Sequence, residues 1–154
     1  MTPEPRRPLP MPRMQLTRAA RFSAAHRYHR PEWSDERNRA VFGACANPHG
    51  HGHDYRLEAT AAGEVDAETG FCVDLARLDA ALRDAVAPLD HQHLNHAVPE
   101  FAPGGRIPTT ENLLLLLWDR IAPAIAPARL VRLRLHEGDA LYVDYAGPGA
   151  EPGE

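Results

Sequence analysis

The 154-residue chain carries nine histidines, and their spacing is its most chemically informative feature. His51 and His53 are separated by a single glycine. In an extended strand, side chains two apart point to the same face, so both imidazoles can meet one cation. Gly50 and Gly52 remove bulk and let the backbone approach closely. A third nitrogen can come from His26, which closes the earlier run Phe22-Ser-Ala-Ala-His26. Antiparallel pairing of the two runs would set it beside the pair. Three neutral imidazoles leave a fourth position open, the pattern of a catalytic zinc site rather than of a closed structural one. Imidazole also suits iron, copper and nickel, so Zn2+ is the first choice among several. His49-Gly-His51 meets the same spacing rule. The later pair is preferred because the strand pattern continues from His53 through Tyr55 and Leu57, and Pro48 favours a turn at His49.

These ligands need strands to hold them. Gln15 to His26, His53 to Gly63, Val131 to Glu137 and Leu141 to Tyr145 each read as a strand with one buried face, the habit of antiparallel sheets. Val131, Leu133 and Leu135 form the apolar side of the third. Two segments read as helices. Leu75, Leu78, Leu82 and Val86 share one stripe, with Asp74 at the positive end and Pro88 as the stop. The second helix starts in Pro108-Thr109-Thr110-Glu111-Asn112 and runs through five leucines and Trp118 towards Pro123. Its leucine run predicts burial on most sides or packing against another subunit. The order strand, strand, helix, helix, strand, strand is an α+β domain with an antiparallel sheet (ββααββ). Residues 27–50 join the first two strands by an unusually long connection ending in Cys45-Ala-Asn-Pro-His-Gly-His-Gly-His53, which marks it as functional.

Composition bounds the rest. Hydrophobic residues make up 44% and charged residues 25%, ordinary for one globular domain. A net charge of −4 argues against a general nucleic-acid binder. All 17 basic residues are arginine, a composition bias that gives no single arginine a meaning. The apolar run Leu113 to Trp118 is far short of the roughly 20 residues of a membrane helix, so no membrane partner is expected. No secretory signal is visible, and two cysteines, Cys45 and Cys72, make no disulfide framework, which places the protein in the cytoplasm by default. Residues 1–13, rich in proline and arginine, read as a disordered tail; 14–146 form the single domain; 147–154 read as a flexible end.

Several segments together resemble the 6-pyruvoyl-tetrahydropterin synthase family. They are Phe22 to His26, Phe42-Gly-Ala-Cys-Ala-Asn-Pro-His-Gly-His-Gly-His-Asp-Tyr55, Gly63 to Gly70, Leu89-Asp-His-Gln-His-Leu-Asn95 and Pro108 to Asn112. The likeness runs from about residue 16 to 146. A related group, the 6-carboxytetrahydropterin synthases of the queuosine pathway, shares most of these motifs. The resemblance implies a zinc-dependent lyase acting on 7,8-dihydroneopterin triphosphate. It also implies the tunnelling fold, with helices outside a barrel of strands built by trimers stacked into a homohexamer, and active sites at subunit interfaces.

The resemblance extends to individual residues. Cys45 matches the catalytic cysteine, whose thiol neighbouring positive groups would activate. Asp90 and His91 match the Asp-His partner, a carboxylate orienting an imidazole for proton transfer. They lie far from Cys45 in sequence, so folding or assembly must join them. Glu137 matches the pterin anchor: its two oxygens suit the paired 2-amino and N3–H donors of a pterin. Thr109, Thr110 and Glu111 fall where the family has further pterin contacts, though Glu111 reads first as complementing the helix dipole. Gly138, Asp54 and His49 depart from the family pattern. His93, His96 and His136 read as surface or packing residues, and Cys72 as core. The Cys45 to His51 spacing favours the pyruvoyl-forming type, whereas Cys45 with His49 and His51 would give the shorter spacing of the carboxy-forming type. A non-catalytic pterin- or metal-binding module is the alternative from another class.

Overall fold

The computed structural model describes residues 10–151, so most of the expected N-terminal tail and the last residues of the C-terminal one lie outside the described part. In chain order the elements are β1 (Arg13–His26), α1 (Asp35–Phe42), β2 (His51–Glu64), α2 (Leu75–Val86), β3 (Gln92–His93), α3 (Leu94–Ala97), α4 (Thr110–Ile121), β4 (Arg129–Glu137) and β5 (Leu141–Tyr145). The five strands form one sheet in the order β3-β1-β2-β4-β5. The fold is α+β, as the element order predicts. It differs by helices α1 and α3 and by one short edge strand, β3, which runs parallel to β1 and pairs Ala24 with Gln92 and Ala25 with His93. Among the described residues, no helix is long and apolar enough to cross a membrane.

The long β1–β2 ribbon sets the geometry. It pairs without a slip from Arg13 opposite Glu64 to His26 opposite His51. One face carries Phe22, Ala24, Tyr55, Leu57 and Ala59, all buried. β4 adds Leu133 and Leu135 to that face. A register shift at Thr60/Ala61 makes Leu130, not Val131, the third buried residue of β4. A bulge places two residues opposite one, which breaks the period-two pattern. The reverse face is polar, with Arg56, Glu58, Arg134, His136 and Asp144 in ion pairs or hydrogen bonds with one another.

Helices α2 and α4 cover the apolar face. Asp74 caps α2 by accepting from Arg77 N at 3.0 Å, and Leu78, Ala81, Leu82, Ala85 and Val86 are buried, while Leu75 stays partly exposed. Thr109 caps α4 through Asn112 N at 3.3 Å. The five leucines do not bury α4 on every side: Leu113, Leu114, Leu117 and Ile121 face the core, whereas Leu115 and Leu116 are half-buried on its flanks. At 100° per residue even an all-leucine run must turn part of itself away from a flat sheet.

The connection 27–50 is ordered rather than a bare loop. Ser34 caps α1 through Arg37 N, and Asp35 and Glu36 sit in its first turn. Buried Asn38 accepts from Arg30 N at 2.8 Å and donates to Arg30 O at 3.0 Å, tying the helix to the strand end. Its polar composition lacks an apolar stripe, so hydrophobic periodicity does not reveal it. Gly43, at φ +55°, ends the helix and starts a tight turn, Gly43–Ala46, that carries Cys45. At the far end Gly147 is buried, and a Cβ there would stand 2.5 Å from the Trp118 ring.

Candidate metal centre

The end of the β1–β2 ribbon brings three imidazoles together. His26 and His51 are direct cross-strand partners, and His53 lies opposite Ala24 on the same face. One ring nitrogen from each lies within 4.8 Å of the other two. His26 Nε2 is 3.2 Å from His51 Nε2. Gly50 permits this closeness, since a Cβ there would come within 2.4 Å of the His26 carbonyl oxygen. His49 is exposed in a turn closed by Gly50 N donating to Asn47 O at 2.9 Å, so the fold selects His51 and His53 as the pair.

The trio is prepared for a cation. His26 is 0% exposed, and burial, then the neighbouring His51 and His53, lower its pKa to about 3. His51 is also lowered, by burial first and His53 second. Neutral rings keep lone pairs for a ligand. His53 Nε2 is buried without a hydrogen-bond partner. It does lie 3.1 Å from Glu137 Oε1, a close approach without hydrogen-bond alignment. A buried unpartnered nitrogen is costly, and a bound metal would remove that cost. The donor set of three imidazole nitrogens therefore fits an ion such as Zn2+.

Around the trio stand the groups a reaction would need. The Cys45 sulfur is 3.8 Å from His51 Nε2, and Tyr28 N donates to Cys45 O at 2.8 Å. Burial, with Glu137 second, pushes the thiol up from its ordinary value. Glu137 ends β4 directly opposite Tyr55, on the trio's face. Thr110, buried at the start of α4, donates its hydroxyl to Glu137 Oε2. Thr109 acts as the helix cap and Glu111 is exposed in the first turn.

Asp90 and His91 sit elsewhere. They precede β3 at the sheet edge, where Asp90 Oδ1 accepts from Ser23 N at 2.9 Å and lies 3.0 Å from His91 Nδ1. The Ser23 contact first, then His91, holds the Asp90 carboxyl below its ordinary range. The His91 side chain is 81% exposed, and its backbone takes φ +57°. His91 borders an open pocket that Ser23, Ala25, Gly52 and Asp54 line together with His53 of the trio. None of their hydrogen bonds or ion pairs reaches Cys45.

Two residues escaped the sequence reading. Asn95 accepts from Arg27 N at 2.8 Å and returns a bond to Arg27 O at 2.9 Å, pinning the residue after His26. Only the pairing of β3 with β1 brings it there. Tyr55 reaches His26 Nδ1 at 3.1 Å; its place two residues after His53, on the same face, was the available signal. Cys72 is half-buried against the core, His93 packs at a tilt against His96 with ring centres 4.5 Å apart, and His136 contacts Glu58.

Known proteins are similar to this chain in sequence and fold. The family model described as 6-pyruvoyl tetrahydropterin synthase matches residues 15–148. The 6-pyruvoyl tetrahydrobiopterin synthase of Poecilia reticulata is 41% identical over 133 residues, spanning 86% of this chain and 89% of its own. That of Homo sapiens is 39% identical over 134 residues, spanning 86% and 91%. The solved Caenorhabditis elegans 6-pyruvoyl tetrahydropterin synthase superposes with a TM-score of 0.83 at 31% identity, covering 90% of this chain and 99% of that one. With a family model matched over residues 15–148, curated relatives about 40% identical over 86% of its length and a shared fold, the chain belongs to the 6-pyruvoyl tetrahydropterin synthase family.

Proposed function

We propose that the chain is a zinc-dependent carbon–oxygen lyase that converts 7,8-dihydroneopterin triphosphate to 6-pyruvoyl-tetrahydropterin with loss of triphosphate. The observation that carries this reading is the joint placement of three imidazoles, the Cys45 thiol and the Glu137 carboxylate at one end of the sheet. His26, His51 and His53 would hold the zinc, which when bound supplies Lewis-acid polarisation of the substrate's side-chain hydroxyls. Glu137 receives the pterin's paired N–H donors, with Thr110 fixing one of its oxygens. Cys45 as thiolate then takes a carbon-bound proton from the substrate side chain. Burial holds this thiol up first and the Glu137 charge second, and a donor pair on Glu137 offsets the second of these. The conversion is redox-neutral: the triphosphate leaves with its bridging oxygen, and the hydrogens lost from the side chain reappear on the ring.

The proton relay needs Asp90 and His91, which the single chain leaves at its open edge. In this reading a neighbouring copy supplies them, within a homohexamer of two trimers whose sheets close into a barrel. The carboxy-forming alternative is disfavoured because the shorter Cys–His spacing requires His49, which lies in the exposed turn. The curated relatives above are named for the pyruvoyl product.

The test is incubation of zinc-loaded protein with 7,8-dihydroneopterin triphosphate and identification of the products. Triphosphate and 6-pyruvoyl-tetrahydropterin are expected. Recovery of 6-carboxytetrahydropterin alone overturns the product assignment, and ligand binding without turnover, unchanged in Cys45→Ala, points to a binding module.

A further inference from the structure

The metal centre includes an orienting group as well as its three ligands. His26 Nε2 faces His51 Nε2, so Nε2 is the nitrogen turned into the trio, while Nδ1 meets the Tyr55 hydroxyl at 3.1 Å. A neutral imidazole carries one proton. If Nε2 gives its lone pair to a cation, that proton is on Nδ1 and needs an acceptor. His26 is fully buried, so water does not offer one. We infer that Tyr55 is a positioning residue of the metal centre: its hydroxyl oxygen accepts the Nδ1 proton of His26 and holds Nε2 towards the ion. The inference rests on the reading of the trio as a metal site.

Tyr55 is well placed for this role. It is 1% exposed, and its ring stacks on Phe22, its cross-strand partner, with centres 4.8 Å apart and planes 10° apart. That stack fixes the phenol where a free side chain would swing. β2 therefore supplies two ligands and, two residues on, the orienter of the third. Tyr55 is also the backbone partner of Glu137, so one residue joins the metal end of the site to the carboxylate end. The Pro108 carbonyl is a second hydrogen-bonding group at the His26 ring, so loss of the phenol oxygen leaves partial support.

Tyr55→Phe keeps the stack and removes the acceptor. Zinc affinity is read by competition with a chromogenic chelator, beside the electronic spectrum of the cobalt-loaded protein and the melting of the metal-free chain. Partners of metal-bound histidines are worth about 10- to 100-fold in affinity, and with Pro108 still present the expected loss is about 10-fold. The cobalt spectrum should change as well. An affinity within about twofold of wild type overturns the inference, since such partners ordinarily carry more. Should the variant not fold, a long-range proton–nitrogen NMR spectrum of the zinc-loaded wild type decides. A protonated His26 Nδ1 is expected, and a bare or metal-bound Nδ1 overturns the assignment. If wild type itself binds no zinc, the metal reading fails with it; if wild type binds and Tyr55→Phe binds equally well, only the role of Tyr55 falls.

Discussion

Three imidazoles meet inside one chain, whereas the Asp90–His91 pair stands at the open edge of the sheet with the His91 side chain 81% exposed. Both regions adjoin β1, yet they are built differently. The first is held by fourteen consecutive cross-strand pairs and close glycine contacts, so its geometry is complete before any ligand arrives. The second is tied to Ser23 through the Asp90 carboxylate and His91 N and to Val86 through Asp90 N, and its imidazole is exposed. Strand register fixes the three imidazoles relative to one another within the chain, whereas the edge pair leaves its imidazole free to meet what lies outside.

The sharpest test of this contrast removes a ligand. His53→Ala should abolish stoichiometric zinc binding and reduce turnover by about 10^4-fold, because a three-ligand site rarely survives on two; elemental analysis of the purified variant and a product assay check both. Next comes Cys45→Ala, which should retain zinc yet lose about 10^2- to 10^4-fold in kcat, the range of a positioned proton-transfer group. Equal zinc content with unaltered kcat would separate the thiol from the chemistry.

The edge pair is tested by mixing. Cys45→Ala and His91→Ala chains are each expected to be nearly inactive alone. Refolded together, they should regain about a quarter of wild-type activity if each site combines groups from two copies. No recovery would confine the site to one chain. A smaller effect is expected from Thr110→Val: losing the hydroxyl that orients Glu137 should raise KM about 10-fold with a lesser change in kcat, as for one hydrogen bond to a charged group.

Acid should distinguish the two regions most gently. His26 has a folded-state pKa near 3, below its ordinary 6.5, so the unfolded chain binds a proton that the folded chain refuses. The stability tied to its neutral form is complete above about pH 6.5 and declines as pH falls towards about 3. Urea unfolding of the metal-free chain at several pH values should show this slope, flattened in His26→Gln.

Much of the site was visible as pattern. The spacing of His51 and His53 and the position of His26 at a strand end follow from local periodicity, and the strand register sets all three on one face. Helix α1 was not legible, because its support is Asn38 bonding to Arg30 rather than an apolar stripe. The bulge that buries Leu130 in place of Val131 was hidden for a related reason: alternation within one strand carries no record of a slip against its partner.

What the sequence by itself determined is the inventory of this protein: strands with one apolar face, two capped helices, and imidazoles at the spacing one ion requires. Those are properties of neighbours along the chain, set by the periods of 2 and 3.6 residues. Only the tertiary structure decided that His26 faces His51, that the phenol of Tyr55 meets Nδ1, and that Cys45 and Glu137 approach the trio from opposite ends of the chain. These are contacts between residues tens of positions apart, and burial acts on them as a group, so the charge state of each depends on what the fold has placed around it.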